Sequence, residues 1–424
     1  MIKRHIFKEI KEHLKKKEIT LLIGPRQAGK TSLMKALMRD AEEKQTKTLF
    51  LSLDIDENKP YLENQMRLVE KIKLHMGTSG GIVFLDEIQR KKDAGLFLKG
   101  LYDMDLPYKF VVSGSGSLEL KEQIHESLVG RKRVFEVTTL SFVEFVHYKT
   151  AYAYEEKLED FIRTESEKTQ ALLKEYVTYG GYPRVVASST IQEKTAEIAE
   201  IYQSYLEKYI KDLLHLDKSD ALTRLLKIIA SQIGGMVNFS EIASTVGISE
   251  KTVKKYVWYL EKTFILYRLS PFFTNVRKEV SKSPVFYFHD IGLRNYMLGL
   301  FTDFSAVETQ GHVFENFVYK LLLHRIRHSS SKIHYWRSRD DAEVDFILSS
   351  GVMLTPYEVK FAPKAEMTRS FAHFISKYHP QYAYVVYMGE ARQASHESTS
   401  VQFVHFGQLL NVEDNQRDRL TVPK

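Results

Sequence analysis

Two hydrophobic patterns alternate along the chain. Unbroken apolar runs at 19–23 (ITLLI), 49–51 (LFL), 82–85 (IVFL) and 110–112 (FVV) read as strands buried on both faces, as in a parallel sheet. Apolar residues at 33–38 and 62–76 instead recur every three or four positions, which predicts helices with one buried stripe. Residues 1–17 predict a basic amphipathic helix leading into the first strand. From 141 to 214 the pattern is helical, with Phe142, Phe145, Leu158, Phe161, Leu172, Leu173, Tyr176 and Ile201 at buried spacing. The stretch is punctuated at Gly180, Gly181 and Pro183, with Arg184 read as a surface residue after the turn.

Residues 239–253 read as helix, tight turn, helix. Ser240 and Ser249 are the expected N-caps, Ala243 lets the helices approach, and Gly247 turns the chain. Strands near 264–271 would wing this unit. After Pro284 strands return at 285–288, 333–337, 344–348, 357–360, 384–387 and 401–404, with a polar, Ser-rich loop before the last and a frayed tail after 410. The whole predicts an α/β multidomain chain.

Composition narrows the classes. With 424 residues, 43% hydrophobic and 27% charged, the chain predicts two to four core-forming domains. The absence of cysteine excludes disulfides, thiolate metal sites and cysteine nucleophiles. The charged opening residues lack the apolar core of a signal peptide, and no run is long enough to span a bilayer, so a cytoplasmic protein without membrane insertion is expected. A net charge of +7 favours an acidic partner such as DNA only weakly.

The chemistry begins immediately after the first apolar run. Gly24, Pro25, Arg26, Gln27, Ala28, Gly29, Lys30, Thr31 and Ser32 fit G-x-x-x-x-G-K-[ST], the phosphate-binding P-loop or Walker A motif, between a strand and a helix as the motif requires. Glycines let the backbone curl around an anion, Lys30 would reach the β- and γ-phosphates, and Thr31 would hold Mg²⁺. The run 82–85 ends in Asp86 and Glu87, a Walker B pattern in which Asp86 would bind Mg²⁺ with Thr31 and Glu87 would activate water. Ser113 or Ser115, at the tip of the next strand, could meet the γ-phosphate or the water, or simply make a turn. Arg131 could act as an arginine finger in cis or in trans, or lie in a solvated basic turn. The expected ligands are ATP and Mg²⁺.

The series GPRQAGKTS, IVFLDEIQ, VVSGSGSLEL and LVGRKRVFEV resembles the ATPase module of the AAA-type (AAA+) superfamily. It is more narrowly similar to prokaryotic members that carry a C-terminal domain with a restriction-endonuclease-like core. That resemblance implies a five-stranded parallel P-loop NTPase sheet at 1–140 and a helical lid at 141–218. A winged helix-turn-helix at 219–283 and an α/β nuclease-like domain at 284–424 complete the expected order. In the last, Asp345 and the triplet Glu358-Val359-Lys360 resemble a PD-(D/E)xK nuclease site. Alternation puts Glu358 and Lys360 on one face, and Glu315 from a helix could complete a cluster around one divalent cation. Arg337 and Arg339 could grip phosphate or pair with nearby acids, and Lys251, Lys254 and Lys255 could sit on phosphates or pack. Two functional expectations follow: an ATPase acting on DNA, or a signalling or assembly ATPase whose C-terminal domain is a protein-binding platform. Either could work with a protein partner or as a homo-oligomer.

Overall fold

A computed structural model describes residues 2–115, 127–204, 220–273, 283–301, 307–338 and 340–410. The chain divides into two compact units: Met1–Lys149 with Gly181–Ile210 and Trp258–Ile265, and Thr150–Gly180 with Lys211–Val257 and Leu266–Lys424. The helical stretch expected as one lid is therefore shared between the units. Helical periodicity records that a face is buried but not which sheet buries it.

The first unit is built on β1 (Ile19–Gly24), β2 (Thr48–Ser52), β3 (Gly81–Asp86), β4 (Tyr108–Ser115) and β5 (Lys132–Glu136). They form one parallel sheet in the order β2-β3-β4-β1-β5. The unbroken apolar runs now make sense. Ile19, Leu21, Ile23, Val83 and Leu85 face a core shared with α3 (Gln65–Met76) and α4 (Ala94–Asp103). Leu22, Ile82 and Phe84 face the opposite core, shared with α1 (Ile6–His13) and α2 (Lys30–Glu43). Period-two alternation with both faces covered erases the polar positions.

Because the strands are parallel, their C-terminal ends share one edge. There β4 lies between β1 and β3, with Leu22 opposite Ser113 and Leu85 opposite Val112. The rest of the unit includes α5 (Phe142–Lys149), α8 (Pro183–Ala187) and α9 (Ile191–Ile201), the last begun by a Thr190–Glu193 capping box.

In the second unit α6 (Leu158–Thr164) and α7 (Ser166–Tyr179) come first in sequence. Three helices follow: α10 (Asp220–Ser231), α11 (Phe239–Val246) and α12 (Glu250–Lys262), the last extending past the unit's boundary. Gly247 turns between α11 and α12 in a left-handed conformation, and Ser249 Oγ accepts the Thr252 N–H at 3.1 Å, as expected of a cap. Ser240 is not the cap of α11. Asn238 does that work, accepting from the N–H groups of Ser240 and Glu241, because the helix starts two residues earlier than a Ser240 cap would place it. Then β6 (Leu266–Leu269) and β7 (Val285–Phe288) pair antiparallel.

After α13 (Ile291–Leu298) and α14 (Val307–Arg325) comes a mixed sheet. Its strands are β8 (Lys332–Arg337), β9 (Glu343–Ser350), β10 (Met353–Val359), β11 (Tyr382–Tyr387), β12 (Arg392–His396) and β13 (Thr399–His405). They lie in the order β12-β13-β11-β10-β9-β8. The helix α15 (Arg369–Tyr378) buries Phe371, Phe374 and Ile375 against Val344, Ile347, Ala383 and Val385 of that sheet. The strand β12 falls in the expected polar loop. It is an edge strand paired to β13 by its backbone, with nearly all its side chains exposed, so no apolar alternation marks it. No helix among the described residues is long and apolar enough to cross a membrane.

Candidate functional site

The C-terminal edge of the first sheet gathers the P-loop and the acids. Gly24 is required at the end of β1: a Cβ there would stand 2.0 Å from the Val137 carbonyl oxygen, whose backbone N–H also bonds Ile23. Gly29 has φ +96°, a conformation that L side chains rarely adopt, and α2 starts there without a side-chain cap or an acid in its first turn. The orphan N–H groups of that first turn are the kind of donors an anion takes.

Lys30 is the first residue of α2 and is 5% exposed. Its ammonium donates to the Gly24 carbonyl at 3.0 Å and to the Pro25 carbonyl at 2.8 Å, so it stays inside the loop. Burial pulls its pKa down to about 8, against an opposing pull from Glu87 and then Asp86. Thr31 Oγ1 donates to Asp86 Oδ2 at 2.9 Å, putting two hard oxygen donors side by side. Asp86 closes β3 in a buried position.

Ser113 is fully buried in β4. Its hydroxyl donates to Asp86 Oδ1 and accepts the Glu87 N–H at 3.2 Å. It therefore fixes the two acids instead of pointing out toward a ligand. Glu87 itself sits just beyond the strand in the left-handed region at φ +57°, and its carboxylate accepts a hydrogen bond from the Gln89 amide. A non-glycine residue held there costs about 1–3 kcal/mol, and such strain gathers at functional sites.

A family model described as an AAA domain matches residues 16–146. The N-terminal sheet with its loop thus matches an AAA-type P-loop domain. Two further models, both described as domains of unknown function, match residues 170–303 and 310–408. An uncharacterized protein of Mycobacterium tuberculosis is 25% identical over 387 residues, 90% of this chain and 79% of its own length. Another uncharacterized protein, from Methanocaldococcus jannaschii, is 25% identical over 290 residues, 63% of this chain and 60% of its own. Among solved structures, AMPPCP-bound DnaA from Aquifex aeolicus is similar at 14% identity and a TM-score of 0.27, over 61% of this chain and 86% of that one.

Not every expected residue joins the AAA domain's site. Arg131 precedes β5, whose first residue pairs with Ile19, at the opposite end of β1 from the loop. Five residues of strand rise separate those ends, roughly 17 Å, and Arg131 Nε is ion-paired with Asp103 at 2.8 Å. A finger acting in cis is thereby excluded in this arrangement. Ser115 ends β4 opposite Gly24, but its side chain lies outside the described residues. Arg26 and Gln27 are half-buried in the loop, Gln27 reaching Ser204 Oγ at 3.4 Å, while Ser32 faces outward from α2. Arg184 is tied to Glu197 at 2.8 Å and Glu200 at 3.0 Å, as a surface role requires.

One participant had no sequence signal. Arg4 lies in the short segment before α1, yet its side chain is only 8% exposed. It donates to the Ala28 carbonyl of the P-loop at 3.0 Å and to the Thr138 carbonyl at 2.7 Å. Its Nε is 3.2 Å from Glu144 Oε1, an ion-pair distance too far off line for a hydrogen bond. Burial pushes the Glu144 carboxyl upward. The Arg4 and His5 charges, with the N–H groups of Ser141 and His5, outweigh that and hold it below the usual glutamate range.

The second unit brings together a separate polar cluster. Lys360 Nζ is 2.8 Å from Glu358 Oε1, so the two residues do share a face. Asp345 Oδ2 accepts the Val359 N–H at 2.7 Å, and Thr368 Oγ1 donates to Glu358 Oε1 at 3.3 Å. Burial, reinforced by Glu315 and Glu358, raises the Asp345 carboxyl well above the usual aspartate range. Burial also raises Glu358, against the pull of Lys360.

Glu315 does not complete a metal cage. It is within 3.1 Å of His312 Nδ1 and accepts the Tyr287 hydroxyl at 3.5 Å. Among the described residues no three His, Asp or Glu side chains are arranged to hold a metal ion. Only Asp345 and Glu358 remain as a two-carboxylate candidate. Arg337 pairs with Asp341 at 3.1 Å and Glu343 at 3.6 Å, and Arg339 lies outside the described residues. In the turn-helix segment Lys254 is paired with Glu250 at 2.6 Å.

Proposed function

We propose that the chain binds Mg²⁺-ATP in its AAA domain and hydrolyses it to ADP and phosphate. The observation that carries this reading is the convergence of Lys30, Thr31, Asp86 and Glu87 at one sheet edge, with Ser113 steadying both acids. Loop and helix N–H groups would take the phosphates, where aligned peptide dipoles favour an anion. The hard oxygens of Thr31 and Asp86 suit Mg²⁺, which when bound neutralises charge on the phosphate oxygens. Glu87 orients a water and takes its proton. The water oxygen bonds to the γ-phosphorus as the bond from phosphorus to the β–γ bridging oxygen breaks, and ADP leaves. Lys30 neutralises charge on the β- and γ-phosphates throughout. Arg131 would serve such a site only across a subunit boundary.

The pH dependence of binding follows from Lys30. Below about pH 8 the free protein already carries the ammonium, so affinity for Mg²⁺-ATP should be flat there. Above it, binding must first take up a proton, and the dissociation constant should rise by up to about tenfold per pH unit. Calorimetric titration between about pH 7 and about pH 9.5 checks this. An unchanged dissociation constant at the alkaline end would mean that Lys30 does not titrate in this range.

For the second unit the favoured reading is action on DNA. It is supported by the Asp345, Glu358 and Lys360 grouping and by the lysines of α12. Two carboxylates could hold one divalent cation while Lys360 steadies a phosphate or a water. Lys360→Ala should then reduce Mg²⁺- or Mn²⁺-dependent DNA cleavage by at least about tenfold, and retained cleavage would remove the nuclease reading. The competing role, a non-catalytic protein-binding platform, is favoured by Glu315 being turned to Tyr287 and His312. It gains if neither metal supports cleavage or DNA binding. ATP turnover with and without DNA, over a range of salt, separates the two, because phosphate contacts weaken steeply with salt.

A further inference from the structure

The P-loop is braced from behind by a residue far from its motif. Arg4 sits in the segment before α1, and its guanidinium reaches three places at once: the Ala28 carbonyl in the loop, the Thr138 carbonyl and the Glu144 carboxylate. Ala28 is fully buried, and Glu144 is itself held by the N–H groups of His5 at 2.7 Å and Ser141 at 2.9 Å. Both ends of the brace are therefore anchored in the core of the AAA domain.

A trans peptide is planar, so its C=O and the following N–H point in opposite directions. Holding the Ala28 carbonyl toward Arg4 consequently aims the Gly29 N–H away from Arg4. Arg4 and Pro183 flank Gly29 at ordinary contact distance: a Cβ there would lie 3.8 Å from Arg4 Nη1 and 3.7 Å from the Pro183 ring. Nothing in the loop's own sequence fixes that peptide. Glycine at 29 allows many orientations, and Ala28 carries no polar side chain.

We infer that Arg4 is a positioning residue for the phosphate cradle, setting the Ala28–Gly29 peptide so that the Gly29 N–H faces the bound phosphates. The inference rests on the ATP-binding reading above. Arg4 does not touch the nucleotide; it acts through Ala28. Its planar fork of donors satisfies two carbonyls and faces a carboxylate together, which a lysine ammonium on a flexible stem cannot reproduce.

The test is calorimetric binding of Mg²⁺-ATP to the full chain, with a thermal melt of every variant. Arg4→Met should raise the dissociation constant about ten- to hundredfold, the worth of one charge-assisted contact. Arg4→Lys should fall between it and the wild type, and it carries the test if Arg4→Met does not fold. Glu144→Gln keeps only one of the two acceptor oxygens that the His5 and Ser141 N–H groups use, removes the charge facing Arg4, and leaves both carbonyls that Arg4 bonds in place. It should lower the melting temperature and raise the dissociation constant less than Arg4→Met does, because both carbonyl bonds of Arg4 remain. Wild-type affinity in a folded Arg4 variant overturns the inference, as does a Glu144→Gln protein that loses as much affinity as Arg4→Met. If the wild type itself binds no ATP, the ATP reading is what fails, and this inference falls with it.

Discussion

Lys30→Ala is expected to abolish ATP binding while leaving the fold intact. The ammonium is enclosed by the loop, donating to the Gly24 and Pro25 carbonyls. Two charge-assisted contacts to phosphate, each worth about 1.5–3 kcal/mol, sum to roughly two to four orders of magnitude in affinity. Stability should change far less, because two effects oppose. Burial lowers the pKa of Lys30 to about 8 from 10.5, so the folded state bears a cost for the charge that is fully present below about pH 8 and is relieved as pH rises toward the unfolded value. Deleting the ammonium removes that cost but leaves the Gly24 and Pro25 carbonyls without their donor. Calorimetry and a melting curve on the same sample check both halves. Binding within tenfold of wild type would mean that the lysine does not meet phosphate.

Glu87→Gln should give the second large effect: nucleotide retained, turnover lost. The substitution is isosteric, and its amide oxygen can still accept from Gln89. Its backbone strain is tolerable, since Gln27 holds φ +59° in this same chain. What disappears is the proposed base, whose removal should slow hydrolysis about 10²- to 10⁴-fold with the dissociation constant for ATP changed by less than about threefold. Single-turnover phosphate release beside equilibrium binding separates the steps. Undiminished turnover would take Glu87 out of the catalytic role and leave its left-handed conformation unexplained.

How legible the site was depended on how local its signals are. The loop residues and Asp86-Glu87 announce themselves because glycines, lysine and adjacent acids must occur at fixed spacing beside apolar runs. Glu358 and Lys360 were legible for a similar reason, since strand alternation sets their common face. Ser113 was visible as a polar residue at a strand tip, but only the β4 position between β1 and β3 reveals that its hydroxyl is used on Asp86 and the Glu87 N–H. Arg131 failed as a cis candidate because strand register, which no local pattern encodes, puts it at the far edge of the sheet.

Arg4 was illegible for a deeper reason. Its partners are 24, 134 and 140 positions away in sequence, and a lone arginine before an amphipathic helix looks like any solvated charge. The fold showed the same divide. Helices were marked by buried stripes, yet nothing in their periodicity assigned Phe161 and Tyr176 to one unit and Ile201 to the other. The α4 and α15 segments show how tertiary packing gives weak local patterns their meaning: Phe97, Leu98 and Leu101, like Phe371, Phe374 and Ile375, are short stripes buried fully by a sheet.

The central claim, that the AAA domain hydrolyses ATP, is tested most directly by steady-state phosphate release from the full wild-type chain. The measurement is made with ATP and Mg²⁺, then repeated after EDTA and with Lys30→Ala at matched protein concentration. Turnover that depends on Mg²⁺ and disappears in Lys30→Ala is the expected result. No phosphate release from folded wild-type protein, or release that persists unchanged in Lys30→Ala, would contradict it.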